Sequence, residues 1–134
     1  MIPGESDADQ AALRRIAESV LGRLGDQVRL KRKTARIGDW EPKVHECHDN
    51  VKYWVERNPE HKHVFGFVLF DLRALNGCLR ISAHSVVEDE NGVLCDITPH
   101  DALEDHPFIR NTGSMDDFIV LANAAHVDVP VEAA

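Results

Sequence analysis

No apolar stretch of this chain approaches the roughly 20 residues that a membrane-spanning helix needs. Its first residues, Met1-Ile2-Pro3-Gly4-Glu5-Ser6-Asp7, lack the positive region and apolar run of a secretory signal. Cysteine is scarce. The three residues Cys47, Cys78 and Cys95 are an odd number, which leaves at least one thiol free and fits a reducing compartment. These absences set the expectation of a cytoplasmic protein. Basic residues are too few for a partner with a phosphate backbone: 15 Lys and Arg stand against 23 Asp and Glu, a net charge of -8. Nucleic-acid binding and attachment to anionic membranes are therefore not expected. Neither Cys-x-x-Cys nor His-x-x-x-His occurs, the paired spacings that build zinc sites, so no metal or other cofactor is expected. There is no internal repeat and no low-complexity segment.

The 134 residues are enough for one domain with a real core, without disulfides or metal. Ala12, Leu13, Ile16, Ala17, Val20, Leu21 and Leu24 recur at helical spacing and predict an amphipathic helix over 9–24. Asp7 or Asp9 suits its start and Gly25 its stop. This helix carries no chemistry and is expected to pack on the main body or on a partner. Val28, Leu30 and Ile37 among charged residues predict an edge strand or linker, with Arg29-Leu30-Lys31-Arg32-Lys33 solvated.

Residues 1–38 are thus set apart from a core over 39–122. Within it a helix begins between Pro42 and Cys47 and runs to Arg57, where Asn58-Pro59 stops it. Val44, Cys47, Val51, Trp54 and Val55 form its inward stripe. Strands are predicted over 64–70, 79–87 and 93–97, with a turn over 71–77. Residues 100–117 read as irregular around an anchored loop at His106-Pro107-Phe108-Ile109. Residues 117–121 read as a final strand or short helix, and 123–134 as a loose tail. The expected class is α+β: N-terminal helices packed against a small antiparallel sheet of about four strands.

Chemistry concentrates between Cys47 and Pro99. A thiol near a helix start can ionise at neutral pH, because the helix terminus and any neighbouring imidazolium favour the thiolate. Cys78 and Cys95 lack that setting and read as packing residues. His84 lies on one predicted strand and Asp96 on the next, joined through Glu90-Asn91-Gly92. A two-residue loop would put His84 and Asp96 on opposite faces, because side chains alternate along a strand. The predicted loop has three residues, with Gly92 at positive φ and Asp89 facing Val93. His84 then sits diagonally from Asp96 on one face, close enough for the carboxylate to orient the imidazole. Trp40, His45, His48 and Asn50 are near enough in sequence to line the site.

A Cys at a helix start, His84-Ser85-Val86-Val87-Glu88 on a strand, and Asp96-Ile97-Thr98-Pro99 on the next resemble the transglutaminase-like branch of the papain-like cysteine enzymes. The resemblance spans roughly residues 40–100. It implies a papain/transglutaminase-like core with Cys47 as nucleophile, His84 as base and Asp96 as orienter. It also implies thiol-dependent acyl chemistry on an amide, by a peptidase, amidase, deamidase or acyltransferase acting on a protein or peptide-like substrate. Two features depart from the pattern. Glu41 stands about where such enzymes often carry a glutamine, and a carboxylate cannot donate to an oxyanion. No aromatic residue adjoins His84.

Two other functions fit the same residues. One is a non-catalytic binding module that retains the fold, with the N-terminal helix serving a partner. The other is a metal site drawn from His45, Cys47 and His48 with His61, His63, His84, Cys95, His100 or His106. There, His45 and His48, three apart on one helix face, would share an ion.

Overall fold

The computed structural model describes residues 6–99 and 106–131. The elements in chain order are α1 (Asp7–Gly22), β1 (Lys31–Arg32), α2 (Cys47–Arg57), β2 (Lys62–Leu72), α3 (Arg73–Asn76), β3 (Cys78–Glu88), β4 (Leu94–Asp96), β5 (Phe108–Arg110), α4 (Met115–Ala124) and β6 (His126–Pro130). The class is α+β, as expected. The sheet is larger than expected and mixed: six strands in the order β1-β4-β3-β2-β5, with β6 also on β3. β1 runs parallel to β4, and the remaining pairs are antiparallel.

The long hairpin β2–β3 is the spine. Val64, Phe67, Val68 and Leu69 on one strand and Leu79, Ile81, Val86 and Val87 on the other are buried, which is why this pair reads so clearly as strand. Its odd-numbered face holds Phe67, Leu69, Leu79 and Ile81. They pack with Ile109 and with Leu13, Ile16 and Val20 of α1 and Phe118 and Leu121 of α4. Each such side chain contributes roughly 1.5–3 kcal/mol by leaving water. The N-terminal helix is therefore part of the main core, not an addition to it. Ser6 caps it, accepting from the Asp9 N–H at 3.0 Å, rather than Asp7 or Asp9. Arg15 clamps α1 to α4 through two 2.8 Å bonds to Asp117.

The even-numbered face carries a smaller cluster of Leu30, Val64, Val68, Val86 and Phe108. Gly66 pairs with Arg110 on β5 and with His84 on β3. A side chain at Gly66 would collide with the Phe108 ring and the Ile109 carbonyl, so glycine lets β5 approach. A third cluster, Ala35, Val51, Trp54, Val87 and Ile97, seats α2 on the sheet.

Several boundaries differ from the sequence reading. α2 begins at Cys47, the late end of the expected interval, so Val44 lies ahead of it, exposed and not on its inward stripe. The 71–77 turn contains α3, closed by Gly77 at φ 76°. Part of the supposed irregular region is β5, and 117–121 lies within helix α4. The tail is not loose over 126–130, where β6 pairs with residues 78–82 of β3. The basic side chains of the run are exposed, as expected, with Lys31–Arg32 forming the edge strand β1 and Leu30 alone turned inward. His100 lies outside the described residues.

Candidate active site

β3 shares one edge between two neighbours. β6 covers residues 78–82 and β4 covers 87–88, so residues 83–86 between them belong to neither ladder. His84 lies in this interval. The β3–β4 hairpin has the predicted register: Glu88 faces Leu94, Val87 faces Cys95, and the Asp89 N–H donates to the Val93 carbonyl at 2.9 Å. Gly92 has φ 79°. Asp89 holds the three-residue loop by accepting from the N–H groups of Asn91 and Val93, both at 2.9 Å. The consequence is the predicted diagonal pair. His84 Nε2 lies 3.1 Å from Asp96 Oδ2, and both side chains are largely buried.

Asp96 is itself held in place. Its Oδ1 accepts from the Thr98 N–H at 3.1 Å. Thr98 Oγ1 in turn accepts from Asn50 Nδ2 at 3.1 Å. Asn50, buried on α2, also donates to the Lys43 carbonyl at 2.8 Å and accepts the Lys43 N–H at 3.0 Å. Asn50 therefore does not line the site as expected. It ties the segment before Cys47 to the strand end that carries Asp96.

The segment from Lys43 to Glu46 turns sharply, with His45 at φ 66°, and delivers Cys47 as the first residue of α2. Both other long helices are capped by serine side chains, Ser6 and Ser114, but Glu46 makes no side-chain cap on α2. The Cys47 N–H sits in the first turn, where backbone donors have no intrahelical partner. His45 is off the helix, so it does not share a helix face with His48.

The Cys47 thiol shares a cavity wall with His48 and His84, and both imidazoles act on its ionisation. Burial pushes the thiol up. The two imidazoles, His48 and His84, and the positive charge of His84 together outweigh burial and bring it down to about 6. Burial would lower the His84 imidazolium, but the bonds to Asp96 and Cys47 raise it to about 9. Between those values the favoured state is a thiolate beside an imidazolium. Since Asp96 takes Nε2, the His84 Nδ1 is the nitrogen left for sulfur.

His48 belongs to a second polar chain on the other face of β3. Its Nδ1 is 2.5 Å from Ser85 Oγ, which is 2.8 Å from His63 Nε2. Burial, then the nearby His48, lowers His63 to about 4, so His63 is neutral at physiological pH. The sequence reading did not place Ser85 and His63 as the groups that hold His48. The signal was parity: His63 lies diagonally from Ser85 across the β2–β3 ladder, in which Phe65 faces Ser85.

A cavity of about 480 Å³ opens onto the three residues Cys47, His84 and Asp96. His45, His48, Ser82, Thr98 and His106 add polar lining, and Leu30, Val68, Phe70, Ala122 and Ala125 add apolar walls. Trp40 is not in this cavity. It stacks on Tyr53 with ring centroids 4.3 Å apart and lines an adjoining groove with Glu41. His61 is likewise elsewhere, bridging Trp54 Nε1 at 2.9 Å and Glu90 at 2.7 Å. Among the described residues, no group of three His, Cys, Asp or Glu side chains is arranged to hold a metal ion. Nor is any described helix long and apolar enough to cross a membrane. Comparison of the chain with protein-family models, with curated proteins and with solved structures gives no match.

Proposed function

We propose that this protein performs thiol-dependent acyl chemistry on an amide, with Cys47 as nucleophile, His84 as acid and base, and Asp96 as the group that orients His84. The observation that carries this reading is the His84–Asp96 pair at 3.1 Å lining one cavity with Cys47, whose thiol stands on the first residue of a helix with no side-chain cap. The resemblance to the transglutaminase-like branch of the papain-like enzymes supports it, since the order helix-start Cys, strand His, next-strand Asp is the same. On this reading the core is of that kind too.

The chemistry follows from the site. The thiolate lone pair forms a bond to the carbonyl carbon, and the carbonyl π electrons move to oxygen. The Cys47 N–H stabilises that oxyanion. As the intermediate collapses, the carbon–nitrogen bond breaks and His84 gives its Nδ1 proton to the departing amine. A water or an amine then attacks the thioester, His84 takes its proton, and the thiolate leaves. Water as acceptor makes the enzyme a hydrolase, and an amine makes it an acyltransferase. Asp96 keeps its proton count unchanged throughout.

The test is acyl-enzyme trapping. The protein is incubated at pH 7 with a panel of aryl esters and anilides of N-acylated amino acids, quenched in acid and mapped by mass spectrometry. An acyl adduct on the Cys47 peptide, absent in Cys47→Ser and strongly reduced in His84→Gln, is the expected result. Adducts spread equally over Cys47, Cys78 and Cys95, or none on any of them, would overturn the reading.

A further inference from the structure

The acyl-chemistry reading leaves one imidazole unexplained, and any catalytic role for that ring rests on the same reading. His48 lines the cavity beside Cys47 and acts on its thiol, yet it is held by a chain separate from the one that holds His84. Its Nδ1 is 2.5 Å from the hydroxyl of Ser85, a residue with no exposed surface, and that hydroxyl is 2.8 Å from His63 Nε2. With Nδ1 taken by Ser85, only Nε2 is left to meet Cys47. The ring is wedged against Phe65, at 6.5 Å between centroids, and edge-on to Phe118 at 5.7 Å. The ionisable groups facing it are Cys47, His63 and, beyond the sulfur, His84.

A serine hydroxyl has one proton to give, so the chain has two arrangements. If Ser85 donates to His63, His48 must carry a proton on Nδ1. To bond a thiolate it would need a second proton on Nε2, which sets two imidazolium ions around one sulfur in a half-buried pocket. If Ser85 donates to His48 instead, His63 donates its Nε2 proton to Ser85, every member is satisfied, and no extra charge is buried. The neutrality of His63 fits either arrangement, so the charge that would be buried around the sulfur decides between them.

We infer that Ser85 and His63 lock His48 as the neutral Nε2–H imidazole, making it a fixed hydrogen-bond donor at the Cys47 sulfur rather than a base. It is a catalytic residue that gives up no proton. When charge passes from the sulfur to the carbonyl oxygen of the bound substrate, the same N–H stands beside it. It then joins the Cys47 backbone N–H as the second oxyanion donor, the role that Glu41 cannot fill.

Two measurements test this. The first is the ¹⁵N spectrum of the parent protein at pH 7.5, with the imidazole nitrogens assigned. The expected pattern for His48 is a protonated Nε2 and an unprotonated Nδ1; a protonated Nδ1 overturns the inference, and this needs no variant to fold. The second compares His48→Gln, which retains an N–H donor near the Nε2 position but cannot act as a base, with His48→Phe, which keeps only the ring. His48→Gln should slow acyl-enzyme formation by only about threefold, while His48→Phe should slow it by about 10²–10³, the usual cost of one oxyanion donor. Glutamine as damaging as phenylalanine would mean that His48 acts by its proton or its charge, and would overturn the inference. If both variants match the parent while His84→Gln does not, the inference falls and the acyl reading stands. If parent Cys47 itself is neither alkylated faster than Cys78 nor acylated, both fall.

Discussion

Cys47 and Cys95 are the same side chain in the same molecule, and their ionisation moves in opposite directions. Cys95 is 5% exposed on β4, its thiol donates to the Val93 carbonyl at 3.8 Å, and burial followed by nearby Asp89 raises it. For Cys47, too, burial is the largest effect and acts upward, yet the thiol falls to about 6 because two imidazoles face it. The contrast teaches that reactivity here is built by partners and not by exposure. A buried thiol is inert unless the fold supplies donors.

The widest expected gap is between the two thiols themselves. At pH 6 about half of Cys47 is thiolate, whereas a thiol at the ordinary 9.0 is ionised at about one part in a thousand. A lower pKa also makes a thiolate less nucleophilic, by about twentyfold over this difference. The net advantage at pH 6 is therefore on the order of twentyfold over an ordinary thiol, and larger over Cys95. Iodoacetamide labelling followed site by site across pH measures it. The Cys47 profile should reach half-maximum near pH 6, with half-buried Cys78 controlling for access. Coincident profiles for the three cysteines would erase the contrast.

His84→Gln should narrow that gap next. Glutamine can still donate to Asp96, which avoids stranding a buried carboxylate, but it carries no charge. The Cys47 profile should shift toward alkaline pH, with labelling at pH 6 slowed by about tenfold. Asp96→Asn should have a smaller effect of a few fold, because the imidazole remains. The asparagine amide offers a donor where His84 Nε2–H needs an acceptor, which turns the ring to the wrong tautomer. Circular dichroism should be unchanged. An Asp96→Asn profile that superimposes on the parent would show that the carboxylate does not act on the thiol.

The half of this contrast that is legible in the sequence comes from local rules. Hairpin parity and the glycine demanded by a three-residue loop are short-range constraints, and they suffice to put His84 and Asp96 on one face. The α2 start is legible only as an interval, because Pro42 and Val44 look like a first turn and Cys47 is equally allowed. What holds Cys47 at the first position is a clamp between Asn50 and the Lys43 backbone, seven residues apart, with no propensity signal of its own. β6 is missed for a related reason. His126–Pro130 is half-exposed and barely apolar, and it becomes a strand only because β3 leaves residues 78–82 free for it. The His48–Ser85–His63 chain requires the β2–β3 register. The connection from Asp71 to Gly77 is too long to set that register from sequence.

The smallest effect is on stability, and it separates the two members of the ion pair. His84 is raised in the folded state from 6.5 to about 9, so its contribution is complete below 6.5 and is lost as pH rises through about 9. Cys47 is lowered from 9.0 to about 6, so its contribution is complete above 9.0 and is lost as pH falls through about 6. Between pH 6.5 and 9 the two slopes oppose each other. The folded protein carries one proton, on His84, and the unfolded chain also carries one, on Cys47. The pair therefore leaves stability flat across this window. Cys47→Ser removes the thiol's proton from the unfolded chain and leaves His84 bonded to Asp96. The folded variant then holds one proton more than the unfolded one, so stability should decline as pH rises above 6.5. The slope is bounded by about 1.4 kcal/mol per pH unit. It should end below pH 9, since the bond to Cys47 is part of what raises His84. Urea midpoints at pH 6.5, 7.5 and 8.5 for both proteins measure the difference directly. Parallel dependence on pH in parent and Cys47→Ser would mean that no thiolate–imidazolium pair exists in the folded state, and the contrast between Cys47 and Cys95 would then need another origin.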